Sequence, residues 1–297
     1  MRRMKVRYIL LLLLPTTLLS SCVRDEFMPC PPLQINLTVK DKNYFNVDKV
    51  DMEQRVDENL AFREYVPTLH YMLRDAATEQ VVAERSLFDV EGDEKDFAIT
   101  FPEELPHGRY ILTVWGGMDG TTPLAGNRLS VAFHPGMAEG MDIYMANDTL
   151  IYDAGNFAYT LGMERTKGKL VIQGVDLPEG LRLSKKTVGG LCGRVDSNFR
   201  YADESTVYTE TRWNSPKELV TKTLLAPSVK KDGSLLAVSL HGADGEDFNT
   251  LVPADVKITV KRNELTVLRY VYQPTGDFSI YILVNGNWEV VHGMEID

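Results

Sequence analysis

Apolar residues in this chain recur at every second position, and that period fixes the class of fold before any motif is weighed. Ile35, Leu37 and Val39 alternate with Asn36, Thr38 and Lys40; Leu69, Tyr71 and Leu73 alternate with His70, Met72 and Arg74; Phe97, Ile99 and Phe101 alternate with Ala98 and Thr100. Successive side chains on a strand point to opposite faces, so this pattern buries one face of a sheet and wets the other. Further strand-like runs are Tyr110–Val114, Asp142–Met145, Lys169–Ile172, Thr206–Arg212, Leu235–Leu240, Val256–Lys261, Leu265–Tyr272, Phe278–Leu283 and Trp288–Val291. Pro106-His107-Gly108, Leu177-Pro178-Glu179-Gly180, Pro274-Thr275-Gly276 and Asn285-Gly286-Asn287 punctuate them, and Asn-Gly is a strong hairpin signal. No amphipathic helix of about three turns competes with this reading. The expected fold is all-β, with two successive β-sandwiches over 33–150 and 151–297 that meet in the polar stretch 146–158. One larger sandwich is the alternative, since all-β domains reach this size. Residues 41–66 break the alternation and read as a long loop or a short helix. Gly189-Gly190 with Gly193 reads as a flexible turn.

The first residues do not belong to that pattern. Arg2, Arg3, Lys5 and Arg7 precede a short apolar run, Tyr8–Leu14, and Leu19-Ser20-Ser21-Cys22 follows. A basic segment, a short apolar segment and small residues before a cleavage point make a secretory signal over 1–21. The apolar run is too short to span a bilayer, which needs about 20 residues. Small residues ending on a cysteine resemble a lipobox, in which the thiol is acylated and Cys22 becomes the mature N-terminus. Residues 22–32 then form a tether, with Pro29, Pro31 and Pro32 keeping it extended. Arg24-Asp25-Glu26 resembles a surface-export signal placed just after a lipidated cysteine; a solvated tether explains it equally well.

Charge narrows the partners. The formal net charge is −10, and loss of the four leader cations leaves −14. Such a chain is not drawn to nucleic acid or to an anionic lipid surface. Attachment to an outer membrane therefore rests on acyl chains at Cys22, each buried methylene adding about 0.8 kcal/mol. Cys30 and Cys192 are the other cysteines, and export leaves open a disulfide between them or two unpaired thiols.

Catalytic and metal signatures are missing from the sequence. His70, His107, His134, His241 and His292 show no metal-ligand spacing, and there is no nucleophile elbow, phosphate loop or zinc cysteine cluster. No cofactor is expected. Asp89, Glu91, Asp93, Glu94 and Asp96 surround Gly92, but their spacing fits a solvated hairpin turn better than a calcium loop. Trp115 closes an alternating strand, which assigns it to a core with its indole N–H facing a carbonyl. Gly116 and Gly117 then permit a sharp exit.

Several stretches resemble the FimB-type fimbrial anchor subunits, minor lipoprotein components of type V pili in Gram-negative anaerobes. They are Cys30-Pro31-Pro32-Leu33, Tyr44-Phe45-Asn46-Val47-Asp48, Phe62-Arg63-Glu64-Tyr65-Val66 and Leu105-Pro106-His107-Gly108-Arg109-Tyr110, running into Val114-Trp115-Gly116-Gly117. Arg165-Thr166-Lys167-Gly168-Lys169-Leu170 resembles the strand that opens the second domain of these subunits. The likeness is dense near residues 30–120 and thin near 180–250. It implies two transthyretin-like β-sandwich domains, no catalytic residue, and a role anchoring pili to the outer membrane and limiting their length. The implied partners are fimbrial shaft or accessory pilins, met by strand addition. Asp148-Thr149-Leu150 resembles an O-glycosylation sequon of exported proteins, which makes Thr149 a candidate modification site. A surface glycan-binding lipoprotein is the alternative reading, with Trp213 and Trp288 as candidate sugar-stacking faces. An enzyme whose site is assembled from distant residues is the third.

Overall fold

The computed structural model describes residues 31–50, 54–122, 124–214, 218–243 and 249–292, and its regular structure is almost entirely strand. The first nine strands are β1 (Gln34–Val39), β2 (Thr68–Asp75), β3 (Val81–Asp89), β4 (Phe97–Thr100), β5 (Gly108–Gly116), β6 (Leu124–Ala125), β7 (Ser130–Ala132), β8 (Tyr144–Tyr152) and β9 (Ala158–Arg165). The next nine are β10 (Gly168–Val175), β11 (Leu181–Asp196), β12 (Tyr201–Arg212), β13 (Glu218–Leu225), β14 (Ser234–Gly242), β15 (Val256–Ile258), β16 (Leu265–Tyr272), β17 (Phe278–Val284) and β18 (Asn287–His292). Within 41–66 the described helical pieces are a 3₁₀ turn at Val47–Lys49 and a single α-turn at Phe62–Tyr65. That agrees with the broken alternation there.

The proximal strands follow one path, β3-β2-β5-β8-β9-β1-β4. The path doubles back on itself. β8 and β9 share ladder positions only at Tyr144↔Arg165 and Met145↔Glu164. Beyond that corner the two halves face each other as layers. Their core joins Leu73, Leu112 and Leu150 of one layer to Ile35, Leu37, Ile99 and Leu161 of the other. The alternation in sequence is therefore the inner face of a sandwich, as expected.

The distal strands repeat this order. β12-β11-β14-β15 corresponds to β3-β2-β5-β8, each neighbouring pair antiparallel. β10 is antiparallel to β13 and parallel to β16, as β1 is antiparallel to β4 and parallel to β9. Two elements have no counterpart. The β17–β18 hairpin extends the distal sheet beyond β16. The β6–β7 hairpin leaves the proximal unit and pairs with the end of β11, Val131 opposite Val195.

Three expectations need correction. A boundary between residues 150 and 151 would cut β8, and the polar stretch 146–158 is strand at both ends. The chain passes from the proximal to the distal sheets at Thr166-Lys167, between β9 and β10. β9 alternates Tyr159, Leu161 and Met163 with Thr160, Gly162 and Glu164, but it belongs to the proximal sheet, held by six parallel pairings to β1 from Gln34↔Ala158 to Val39↔Met163. Gly189 and Gly190 are not a turn but a bulge inside β11, the longest strand. Gly190 has φ +71°, and a Cβ there would sit 2.3 Å from the Gly233 carbonyl oxygen, so the bulge requires glycine.

Candidate functional site

Cys22 and Cys30 lie outside the described residues. Cys192 is a free, buried thiol whose pKa is raised by burial. It packs with Met145 at one end of β8. Pro31, next to Cys30 in the chain, accepts a hydrogen bond from Tyr152 Oη at the other end of β8, at 3.0 Å. Seven strand residues separate Met145 from Tyr152, roughly 23 Å. A disulfide needs Cα atoms within about 7 Å, and Cys192 lies by the opposite end of β8 from the Tyr152 contact with Pro31.

Thr149 is exposed near the middle of β8, opposite Ile111 of β5 and two residues before the exposed Ile151. It is therefore accessible, but on a strand rather than in a linker. The acidic residues 91–96 lie in the connection from β3 to β4, which is not a hairpin, since β3 pairs with β2 and β4 with β1 at opposite ends of the path. Asp93 pairs with Arg63 at 2.7 Å and Asp96 accepts from Asn36 at 3.1 Å. Among the described residues no group of three His, Cys, Asp or Glu side chains is disposed to hold a metal ion. Trp213 packs on the distal core, and Trp288 packs on a small cluster with the Arg269 guanidinium 4.0 Å from its ring. Neither is an open sugar platform. Trp115 is fully buried and donates to the Arg128 carbonyl at 3.1 Å, as its place in the alternation predicts.

The sequence did not reveal how the two sandwiches are joined. Arg165, Thr166 and Lys167 are 5%, 0% and 0% exposed. The Arg165 guanidinium pairs with Asp142 at 2.9 Å, donates to Asn263 Oδ1 at 2.8 Å and reaches Tyr144 Oη. Burial opposes its charge, yet Asp142 and the two tyrosines beside it hold its pKa above the ordinary value. Asp41 accepts from the Arg165 backbone N–H and from Arg262, both at 3.0 Å. Lys167 donates to the carbonyls of Phe133 and Glu139, and burial pushes its pKa down to about 8. His134 Nδ1 faces the carbonyls of Ala138 and Glu139, so it carries the proton, while Nε2 accepts from the Ala226 N–H at 3.2 Å. Burial and the Lys167 charge lower its pKa to about 4, keeping it neutral. Around these groups Trp115, Phe133, Ile143, Val195 and Ala226 form an apolar cluster drawn from both units. No spacing rule could have found this joint, because its partners are far apart in sequence.

The other distinctive surface is the β17–β18 hairpin. Among the described residues β18 pairs with β17 alone, which leaves its other backbone edge without a strand partner there. Its Val290 and Val291 are 65% and 40% exposed. The segment Tyr44–Val50 braces the hairpin from the proximal side, Tyr44, Val47 and Val50 packing with Val267, Leu283 and Trp288. Among the described residues no helix is long and apolar enough to cross a membrane.

No family model and no curated protein matches the sequence. Solved structures do match in fold. A candidate adhesin from Bacteroides ovatus aligns over 92% of this chain and 98% of its own, with 13% identity and a TM-score of 0.58. A protein described as a candidate polysaccharide-binding protein, from Bacteroides thetaiotaomicron, aligns over 88% and 98%, with 10% identity and a TM-score of 0.55. The fimbrial anchor protein Mfa2 from Porphyromonas gingivalis aligns over 89% and 100%, with 12% identity and a TM-score of 0.51. At these identities the likeness is one of fold. The chain shares the all-β fold of these proteins over 88–92% of its length.

Proposed function

We propose that this chain is a FimB-type subunit, lipidated at Cys22 and held in the outer membrane, which anchors pili at the cell surface and limits their length. The observation that carries the reading is the fold match to a fimbrial anchor protein, over 89% of this chain and 100% of that one, in a sequence that carries Leu19-Ser20-Ser21-Cys22 after a basic and apolar leader. The N-terminal strand supports a fixed anchor. β1 is hydrogen-bonded to β4 on one side and β9 on the other, with Ile35, Leu37 and Val39 buried. Its loss would open the proximal core and sever the folded units from the lipid. The open edge of β18 is the surface offered to a pilin strand. There main-chain hydrogen bonds would supply affinity and alternate side chains specificity. Thr149, exposed on β8, is the candidate O-glycosylation site.

Two variants test this. Cys22→Ala should abolish fatty-acid labelling and release the protein from the membrane fraction; equal label on both forms would defeat lipidation. Truncation after Gly276 removes β17 and β18. It should shed pili into the medium while the lipoprotein, shown to be folded by circular dichroism, stays in the membrane fraction. Cell-bound pili of normal length would exclude the hairpin as the contact. A surface glycan-binding role is the second reading, favoured by the fold match to the candidate polysaccharide-binding protein.

A further inference from the structure

A groove of about 550 Å³ opens where β16 and β17 part, floored by the start of β16 and the end of β17. Their last ladder pair on this side is Leu268↔Ile282; beyond it Leu265 is bonded through its backbone to the Asn46 side chain, and Leu265, Asn46 and Val284 line the groove. Lys49, Lys231, Lys257 and Lys261 line it, against Asp232 and Glu264. Lys261 is paired with Glu264 at 3.1 Å, and Asp232 accepts from the Thr259 hydroxyl at 2.8 Å. Lys49, Lys231 and Lys257 are exposed and have no ion pair among the described residues. An excess of positive charge is thus gathered in one concavity of a chain whose net charge is −10. Concave walls focus that field, which favours an anionic ligand. Phe45 lies in the same lining and is 61% exposed, with the Arg262 guanidinium 5.4 Å from its ring. An aromatic left in water beside unpaired cations suits a ligand with both an apolar ring face and an acidic group. The volume falls in the range of small-ligand sites, about 300–1,000 Å³. That is more than an inorganic anion fills.

We propose that this groove binds an acidic saccharide, with a sugar ring against Phe45 and its carboxylate, sulfate or phosphate groups among Lys49, Lys231 and Lys257. Charge complementarity selects the occupant, and the single ring limits stacking to one residue of the saccharide. The groove takes in the end of β17 and the hairpin turn, Ile282–Gly286, but no residue of β18, so its ligand does not occupy the β18 edge. Its test reads saccharide binding rather than pilus retention, and the two proposals fail separately.

The full-length lipoprotein in detergent would be titrated calorimetrically with chondroitin sulfate tetrasaccharide, a phosphorylated lipopolysaccharide-core oligosaccharide, neutral maltotetraose and inorganic sulfate. Saturable binding of either acidic saccharide, at least tenfold tighter than maltotetraose or sulfate, supports the proposal. Which of the two binds tells an external glycan from the cell's own surface. The double variant Lys231→Glu/Lys257→Glu should weaken that binding at least tenfold, and Phe45→Ala at least threefold. All three positions are exposed, and unchanged melting temperatures would confirm intact variants; Lys257→Ala alone serves if the double variant misfolds. Absence of binding by both acidic saccharides would overturn the proposal. Indifference to Phe45→Ala would also overturn it, marking a bare polyanion patch.

Discussion

The two sandwiches share one strand order but finish it differently. In the proximal unit β8 turns the corner into β9, and the sheet closes on itself at Tyr144↔Arg165. In the distal unit β15 is only three residues long and does not pair with β16, whose free side is taken by the β17–β18 hairpin. Their interiors differ too. The proximal core is apolar and rich in aromatics, including Phe62, Phe101, Tyr110 and Tyr152. The distal sandwich buries a lysine, Lys186, at 3% exposure, bonded only to the hydroxyls of Thr221 and Thr223 at 2.9 and 2.8 Å. One topology thus yields a closed proximal unit and a more open distal one. The difference lies in the edges and the buried charge, not in the strand plan.

The sharpest way to break this comparison is to ask whether the units are separate at all. Trp115 is fully buried in the cluster that both units share. Trp115→Ala should cost about 4 kcal/mol, by lost burial and the cavity left behind. Urea unfolding followed by fluorescence and circular dichroism would show the loss. A proximal unit that alone is weakened, with the distal transition unmoved, would show the joint to be energetically idle. Arg165→Met removes the guanidinium from Asp142, Asn263 and Tyr144 at once. The expected loss is about 3 kcal/mol, since one partner of a buried pair is left uncompensated. It should also split a single wild-type transition into two. A single unsplit transition at unchanged midpoint would contradict the role assigned to the joint.

Lys186 sharpens the contrast between the two interiors. Burial lowers its pKa from 10.5 to about 8, so the folded state disfavours the ammonium. The penalty is full below about pH 8, shrinks as pH rises toward 10.5, and is absent above it. Lys186→Met should therefore stabilise the protein at pH 7 by about 1–2 kcal/mol, after allowing for the hydrogen bonds lost by the threonines. That advantage should fade between pH 8 and 10.5, as denaturant midpoints of the two proteins at each pH would reveal. A difference independent of pH would mean that burial does not shift the Lys186 pKa from its unfolded value, so that the ammonium carries no burial penalty. The smallest effect is expected on the proximal surface. Thr149→Ala should shift stability by no more than about 0.5 kcal/mol, the usual range for a surface change. Mass spectrometry of protein from the native host should nevertheless show the loss of a glycan. An unmodified wild-type peptide spanning Thr149 would remove the modification proposal.

Much of the strand inventory was legible, because a half-buried strand advertises itself locally. β1, β4, β5, β16 and β17 stand where alternation and turn residues place them. The strands that escaped notice are those whose partners do the specifying. β3 is an edge strand with Val81, Val82 and Leu87 exposed, so it shows no buried face. β11 runs through Gly189-Gly190 because β12 and β14 hold it on both sides. β9 alternates on its own account, but its place in the proximal sheet is set by β1, more than a hundred residues earlier in the chain.

By itself, then, the sequence determined the class of fold, the turn at Pro106–Gly108 and the burial of Trp115. Each depends on neighbours within a few positions, where periodicity and turn chemistry act. The tertiary structure alone decided where one sandwich hands over to the next, and that Arg165 and Lys167 are interior rather than solvated. It also decided that Lys49, Lys231 and Lys257 share a groove with Phe45. Those outcomes depend on pairings such as Asp41 with Arg262, 221 positions apart. A buried charge is tolerable only where distant groups satisfy it, and local sequence carries no trace of them.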